Sequence, residues 1–331
     1  MAQPNHDVAK LQVRQIAILI ETEATWGRSV IRGIANYAEK HAMWHLLIDP
    51  RDHEHRSALP DGWRGDGVIA HITGRLQSEQ MAKQGLPVVN VDDLFSDLPG
   101  VAQVITDEQA RAEMAIEHLV DRGFSRFGYF APPSNRYSNS RGEAFRAEAE
   151  QKEFEYFEYR PGYRAGRKIG WGEQQRRVNR WLSSLPRPIA ILAVDAYHAR
   201  QMAEICHFSN IRVPDEVAIL AGDSDDLQCE VATPPLSAIS VASEQIGYRA
   251  AELLSDLMGG QPCPTEPILV EPHGVVSRQS TDVLAIDDPT IVQALRYIQL
   301  HAHHGIGVDD ILREVPISRR SLEMQFRSYL G

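Results

Sequence analysis

The sequence predicts an α/β protein of two lobes, each built on a parallel sheet, followed by an all-α segment. Three observations predict it. From about residue 15 to residue 280, short apolar runs alternate with amphipathic stretches, the rhythm of a doubly wound parallel sheet. That rhythm runs through two sets of similar size, which implies two lobes with a cleft between them. Beyond residue 288 only helical spacing remains.

Ile16-Ala17-Ile18-Leu19-Ile20 is apolar at every position, as a strand buried on both faces must be. Val30, Ile31, Ile34 and Tyr37 recur at helical spacing and predict a helix over 26–41. Strands are expected at 44–48, 67–72, 88–91 and 101–105, with helices at 76–84 and 108–122. The second set offers strands at 126–130, 156–159, 189–194 and 216–220, and helices at 141–151, 172–185, 196–207 and 243–258. Pro262, Pro264 and Pro267 interrupt the pattern, and 268–270 with 275–276 reads as one more strand pair running back across the hinge. The expected division is a disordered terminus at 1–13, a two-lobed domain at 14–281, a linker at 282–288 and a helical segment at 289–331.

The last segment opens on Asp287-Asp288-Pro289, an N-cap acid and a proline at the first helical position. Ile291, Ala294, Leu295 and Ile298 mark its first helix, Gly305-Ile306-Gly307 a break, and Val308, Ile311, Leu312 and Val315 a second helix. Ser318 can cap a third, with Leu322, Phe326 and Tyr329 on its apolar side. Arg319, Arg320 and Arg327 share the opposite arc with Glu323. A short helix, a tight turn and a helix that opens on arginines is the helix-turn-helix pattern. The spacing suits an ordinary helical hairpin with a solvated face equally well.

Composition narrows the class. A chain of 331 residues, 43% of them hydrophobic, can bury real cores, and no apolar run approaches a membrane span. The polar first ten residues lack a secretory pattern, and three unpaired cysteines suit reduced thiols in the cytoplasm. A net charge of −11 excludes a surface that binds nucleic acid throughout; contact with DNA would use a local patch such as the terminal arginines.

In open α/β sheets ligands sit beyond the carboxyl ends of the strands. That rule selects Trp26, His71, Asp107, Arg141, Asp195 and Asp223. Carboxylates and a guanidinium each take several hydroxyl hydrogen bonds, and an indole covers the C–H face of a sugar. Each residue also has a plainer role: Asp195 as a helix cap, Asp223 as a turn acid, Arg141 as a surface charge, Trp26 as core. Enzymatic motifs are absent: there is no Walker loop, no Gly-x-Gly-x-x-Gly, and no nucleophile elbow around Ser138 or Ser140. No cofactor is expected. His53 with His55, and His301 with His303 and His304, lack the partners of a metal site.

Two stretches carry a resemblance. Gly222-Asp223-Ser224-Asp225-Asp226-Leu227 through Thr233-Pro234-Pro235-Leu236-Ser237-Ala238-Ile239, with Arg141-Gly142-Glu143-Ala144-Phe145, is similar to LacI/GalR-type effector domains, which are periplasmic-binding-protein-like (type I). Ile317-Ser318-Arg319-Arg320-Ser321-Leu322-Glu323 with Phe326-Arg327-Ser328-Tyr329-Leu330-Gly331 resembles the first helix-turn-helix of AraC-type regulators. The combination resembles the xylose-operon activator branch of the AraC family. It implies a cytoplasmic homodimer that closes its cleft on a small sugar and binds promoter DNA, with RNA polymerase as a further partner, and it implies no enzyme. Arg141, Asp195 and Asp223 would hold the effector, Trp26 and His71 would line the cleft, and Ser318, Arg319, Arg320 and Arg327 would face DNA. Ser224, where close relatives often carry asparagine, and Trp26, where the enteric branch has tyrosine, bear on which sugar is taken. The AraC module has two such units, so this sequence is expected to end partway through it. A sugar-binding protein without competent DNA binding, or a sugar-processing enzyme, are the alternatives.

Overall fold

The computed structural model describes residues 13–51, 57–60, 62–74, 77, 81, 85–94, 98–132, 139–160, 170–282, 288–301 and 305–330. Residues 1–12, most of the helix expected at 76–84, His53, His55, Ser138, His303, His304 and most of the expected linker lie outside them.

The first lobe holds strands β1 (Arg14–Leu19), β2 (Trp44–Ile48), β3 (Gly67–Ala70), β4 (Val88–Asn90) and β5 (Val101–Thr106), with helix α1 (Thr25–His41) after β1. The second begins with helix α2 (Glu108–Val120) and strand β6 (Arg126–Phe130). Helix α3 (Ser140–Gln151), β7 (Glu155–Glu158), α4 (Trp171–Ser184), β8 (Ile189–Ala193) and α5 (Ala196–Phe208) follow. Then come β9 (Val217–Ala221), α6 (Asp226–Val231), β10 (Ser237–Ser240), α7 (Ser243–Met258), β11 (Ile268–Val270) and β12 (Gly274–Val276). One sheet runs β11-β5-β4-β3-β1-β2 and the other β12-β10-β9-β8-β6-β7. The pairings are parallel except β10 with β12. This is the periplasmic-binding-protein-like α/β architecture that the sequence predicts.

The apolar run in β1 is used on both faces. Ile16 and Ile18 pack with Val30 and Ile34 of α1 and Ile246 and Ala250 of α7, while Ala17 and Leu19 pack with Val68, Ala70 and Met81 opposite. Helices α1 and α7 touch backbone to backbone: a Cβ on Gly33 would lie 1.9 Å from the Glu244 carbonyl, and one on Gly247 1.9 Å from that of Val30. The second lobe has its own core, from Phe130, Leu182 and Ile191 to Met202, Ile219 and Leu236.

Chain order and lobe part company at three crossings. The chain passes from β5 into α2, from β10 into α7, and from β11 into β12. So α2, grouped by sequence with the first set, packs against α3, and α7, grouped with the second, packs against α1. The strand pair expected at 268–276 divides between the sheets: β11 lies beside β5 and β12 beside β10.

The chain falls into two compact units that divide between Thr281 and Asp282. The second contains α8 (Pro289–His301), α9 (Val308–Glu314) and α10 (Arg319–Leu330). Ile291, Ala294, Ile311, Val315 and Leu322 form its core. Asp288 accepts from the Thr290 N–H at 2.8 Å, which holds its carboxyl below the usual range, and its other oxygen accepts from Gln325 at 2.8 Å. Gly305, at φ +69°, makes the left-handed turn between α8 and α9. Ser318 caps α10, its Oγ accepting from the Ser321 N–H at 3.2 Å.

Candidate functional site: a charged cleft between two lobes

The loops that leave the carboxyl ends of the strands meet between the lobes of the first unit. Trp26 stands in the first turn of α1, and Gly27 must follow it, because a Cβ there would lie 2.1 Å from the Glu21 carbonyl. His71 follows β3, and Asp92 and Asp93 follow β4. Glu108 and Arg111 occupy the first turn of α2, directly after the first crossing. From the second lobe come Arg141 at the start of α3, Asp195 after β8 and Asp223 after β9.

These residues line two cavities that share Trp26 and Asp223. One, of about 230 Å³, adds His71, Asp92, Glu108, Arg111 and Arg141. The other, of about 440 Å³, adds Asp195, Tyr197, Asp225 and Glu244. The five expected effector residues therefore divide: Trp26, His71, Arg141 and Asp223 meet in the smaller cavity, while Asp195 reaches only the larger.

The smaller cavity is organised by a carboxylate between two arginines. Glu108 faces Arg141 in a fork, at 3.3 Å to Nε and 3.4 Å to Nη2, while Arg141 Nη1 donates to the Val194 carbonyl. Arg111, 2% exposed, brings Nη1 to 3.2 Å from Glu108, but its Nε and Nη1 make no aligned hydrogen bond. Burial, reinforced by Arg141, pushes the Arg111 guanidinium down to about 10. Burial acts on Arg141 in the same sense, but Glu108, then Tyr129 and Asp223, outweigh it and raise that group.

The carboxylates facing them are held against their preference for water. Asp223 accepts from the Ala196 N–H at 3.0 Å; burial first and Asp195 second raise its pKa, against Arg141. Burial also raises Asp92, opposed by His71 and by the Leu94 N–H, which donates to it at 2.7 Å. The His71 ring meets Trp26 edge to face at 5.3 Å and orients the indole. Two bonds join the lobes at the cleft's sides: Thr25 donates to Asp225 at 3.0 Å, and Ser140 donates to Asp93.

Asp195 keeps its plainer role as well. It is 5% exposed, caps α5 by accepting from the His198 N–H at 2.7 Å, and holds the His198 ring at 2.8 Å. Asp107 caps α2, accepting from Ala110 at 3.0 Å. Its neighbour Glu108 enters the cavity instead. Arg111 was legible in principle: it falls on the same helical face as Ala112, Ala115, Ile116 and Leu119, a charge at the opening of an otherwise apolar stripe.

Desolvated acceptors and donors that face one another beside an indole suit a neutral ligand rich in hydroxyls, each of which gives one hydrogen bond and takes others.

On α10, Arg319 pairs with Glu323 at 3.1 Å, both more than half exposed, while Arg320 and Arg327 are exposed and Ser318 is engaged as the cap. The side chain of Tyr329 lies outside the described residues.

Comparison with known proteins agrees with the fold. A family model described as "XylR N-terminal domain" matches residues 15–109, and one described as "Periplasmic binding protein-like domain" matches 116–281. The chain is 31% identical over 324 residues to the xylose operon regulatory protein of Escherichia coli (strain K12), covering 96% of this chain and 82% of that one. With the namesake from Haemophilus influenzae identity is 30% over 327 residues, with 97% and 84% covered. A solved structure of "xylose-binding transcription activator xylR" matches with a TM-score of 0.77 at 30% identity, over 97% of this chain and 83% of that one. The structure of a "probable maltose operon transcriptional repressor" from Staphylococcus, at 15% identity and a TM-score of 0.61 over 82% of this chain and 99% of that one, shares the fold alone. With identity at this level over four-fifths of the relatives' length, the chain belongs to the family of xylose operon regulatory proteins.

Proposed function

We propose that this chain is a sugar-responsive transcription regulator whose effector is D-xylose or a close pentose. Trp26, His71, Arg141 and Asp223 contact the sugar in the smaller cavity, with Glu108 and Asp92, and Asp195 lines the adjoining larger cavity from the start of α5. The observation that carries the reading is the Glu108–Arg141 fork and Asp223 of the second lobe lining one cavity with Trp26 and His71 of the first. The cavity, at about 230 Å³, is smaller than the ~300–1,000 Å³ of drug-sized ligands, which favours a single monosaccharide ring. Groups from both lobes surround it, so a bound sugar binds the closed arrangement better than the open one, and that difference is what shifts the population. The second unit is the DNA reader, with Arg319, Arg320 and Arg327 on the face that meets promoter DNA. The working form is a cytoplasmic homodimer that engages RNA polymerase and catalyses no reaction.

Calorimetric titration with D-xylose, L-arabinose and D-glucose, with product analysis alongside, tests the reading. A saturable heat for xylose without turnover is expected, together with a sugar-dependent change in the mobility of xylose-promoter DNA. Conversion of the sugar, or no heat with any of the three, would overturn it.

A further inference from the structure

Each of the three crossings leads, on the second-lobe side, to one small buried knot of hydroxyls. Crossing one continues as α2, whose His118 places Nε2 2.9 Å from Thr281 Oγ1, and just past its end Arg122 donates to Ser277 at 3.0 Å. Crossing two is entered from β10, whose Ser237 Oγ lies 2.6 Å from the same Thr281 hydroxyl. Crossing three continues through β12 to Arg278, Ser280 and Thr281 themselves. Arg278 donates its N–H to Ser237 Oγ at 2.8 Å and takes a hydrogen bond from it at 2.9 Å. Ser280 Oγ accepts from the Ser237 N–H at 2.8 Å and donates to the Ile219 carbonyl at 2.6 Å.

Ser237, Ser280 and Thr281 are fully buried. Burial, and then Arg122, hold His118 down at about 4, so a neutral ring with hydrogen on Nε2 completes a chain in which each hydroxyl both gives and receives. Thr281 is also the last residue of the first unit, before the chain passes to the helical one. The other end of α2 carries Glu108 and Arg111 in the cavity, about ten residues or ~15 Å along the axis.

We infer that the His118–Thr281–Ser237–Ser280 knot is the coupling point at which lobe closure is passed to the chain leaving for the helical unit, with α2 as the rod that connects it to the cavity. This rests on the reading of the cleft as a sugar site. Closure turns the crossings against the second lobe. Because each crossing has its second-lobe end on the same few hydroxyls, a shift in any of them reaches Thr281, whereas apolar packing there would let the elements slide independently.

Hydrogen exchange on the whole chain, with and without D-xylose, tests the inference in wild type, Thr281→Val and Thr281→Ser. In wild type, xylose is expected to slow exchange severalfold both in peptides over His71, Arg141 and Asp223 and in peptides over 112–122 and 274–282. Thr281→Val should keep the slowing at the cleft and lose it at 274–282, and Thr281→Ser, which keeps the hydroxyl, should restore it. Slowing at 274–282 that persists in Thr281→Val, or slowing in wild type confined to the cleft, would overturn the coupling role. No slowing at the cleft would refute the sugar site itself and the coupling with it.

Discussion

Asp223→Asn separates what the cleft does for binding from what it costs the fold. The substitution keeps an oxygen to accept from the Ala196 N–H, keeps the volume, and removes one buried charge. In the empty protein that charge is unfavourable: burial and Asp195 raise the Asp223 pKa despite the hydrogen bond from Ala196 and the attraction of Arg141. A carboxyl raised on folding contributes stability that is present at pH below its unfolded value near 4 and lost as pH rises through its folded value. The wild type loses that contribution as pH rises through the folded value, whereas the asparagine variant has no charge to bury at any pH.

The expected result is a variant that melts higher than wild type at pH 7, with the difference shrinking as pH falls toward 4. Binding moves the other way. A hydrogen bond to a charged group contributes about 1.5–3 kcal/mol, so losing the charge should weaken xylose roughly ten- to a hundredfold. Differential scanning fluorimetry across pH gives the first quantity and calorimetry the second. A variant that melts lower at pH 7, or that binds xylose within twofold of wild type, would refute the account of Asp223.

Glu108→Ala leaves Arg111 and Arg141 without their shared counter-ion. Breaking a buried pair in this way costs about 3–5 kcal/mol, which should appear as a fall in melting temperature of roughly 6–20 °C. Trp26→Ala should weaken xylose about tenfold or more in calorimetry while the far-UV circular dichroism stays unchanged. Gly33→Ala tests the α1–α7 contact: helix propensity favours alanine by about 1 kcal/mol, but its Cβ would lie 1.9 Å from the Glu244 carbonyl, so the variant should be less stable to urea, and a more stable one would refute the contact. On the second unit, Arg320→Ala and Arg327→Ala should each weaken promoter DNA binding and flatten its salt dependence by about one unit of log–log slope, without altering xylose affinity.

The strands were legible because burial on both faces removes polar residues: Ile16–Ile20 and Ile189–Val194 are short, wholly apolar and rich in β-branched residues, as buried strands are. Membership of a lobe was not. Periodicity reports that 243–258 is a helix with one apolar face, but nothing local says that Gly247 rests on Val30 rather than on the strands that precede it in sequence. Strand β10 was illegible for a related reason. It is four residues long, two of them serine, and the Ser237 hydroxyl turns inward because Arg278 and Thr281 arrive there from some forty residues further along.

The strand-end rule brought Trp26, His71, Arg141 and Asp223 to one cavity because each follows its strand within its own lobe. It stopped one residue short at the first crossing. There the polar residue after the strand, Asp107, is used as a cap, and the helix it starts belongs to the other lobe. Glu108 and Arg111 thereby enter the cavity from a helix rather than from a loop. A carboxylate on a helix start sits well with the helix dipole, and a second arginine within its reach needs it as a counter-ion. The same two residues place the start of α2 in the wall of the cleft. A sugar that draws Arg141 toward its hydroxyls must either share Glu108 or leave Arg111 as that carboxylate's remaining partner. On the proposed reading the first turn of α2 then feels the ligand, and its last turn holds Thr281.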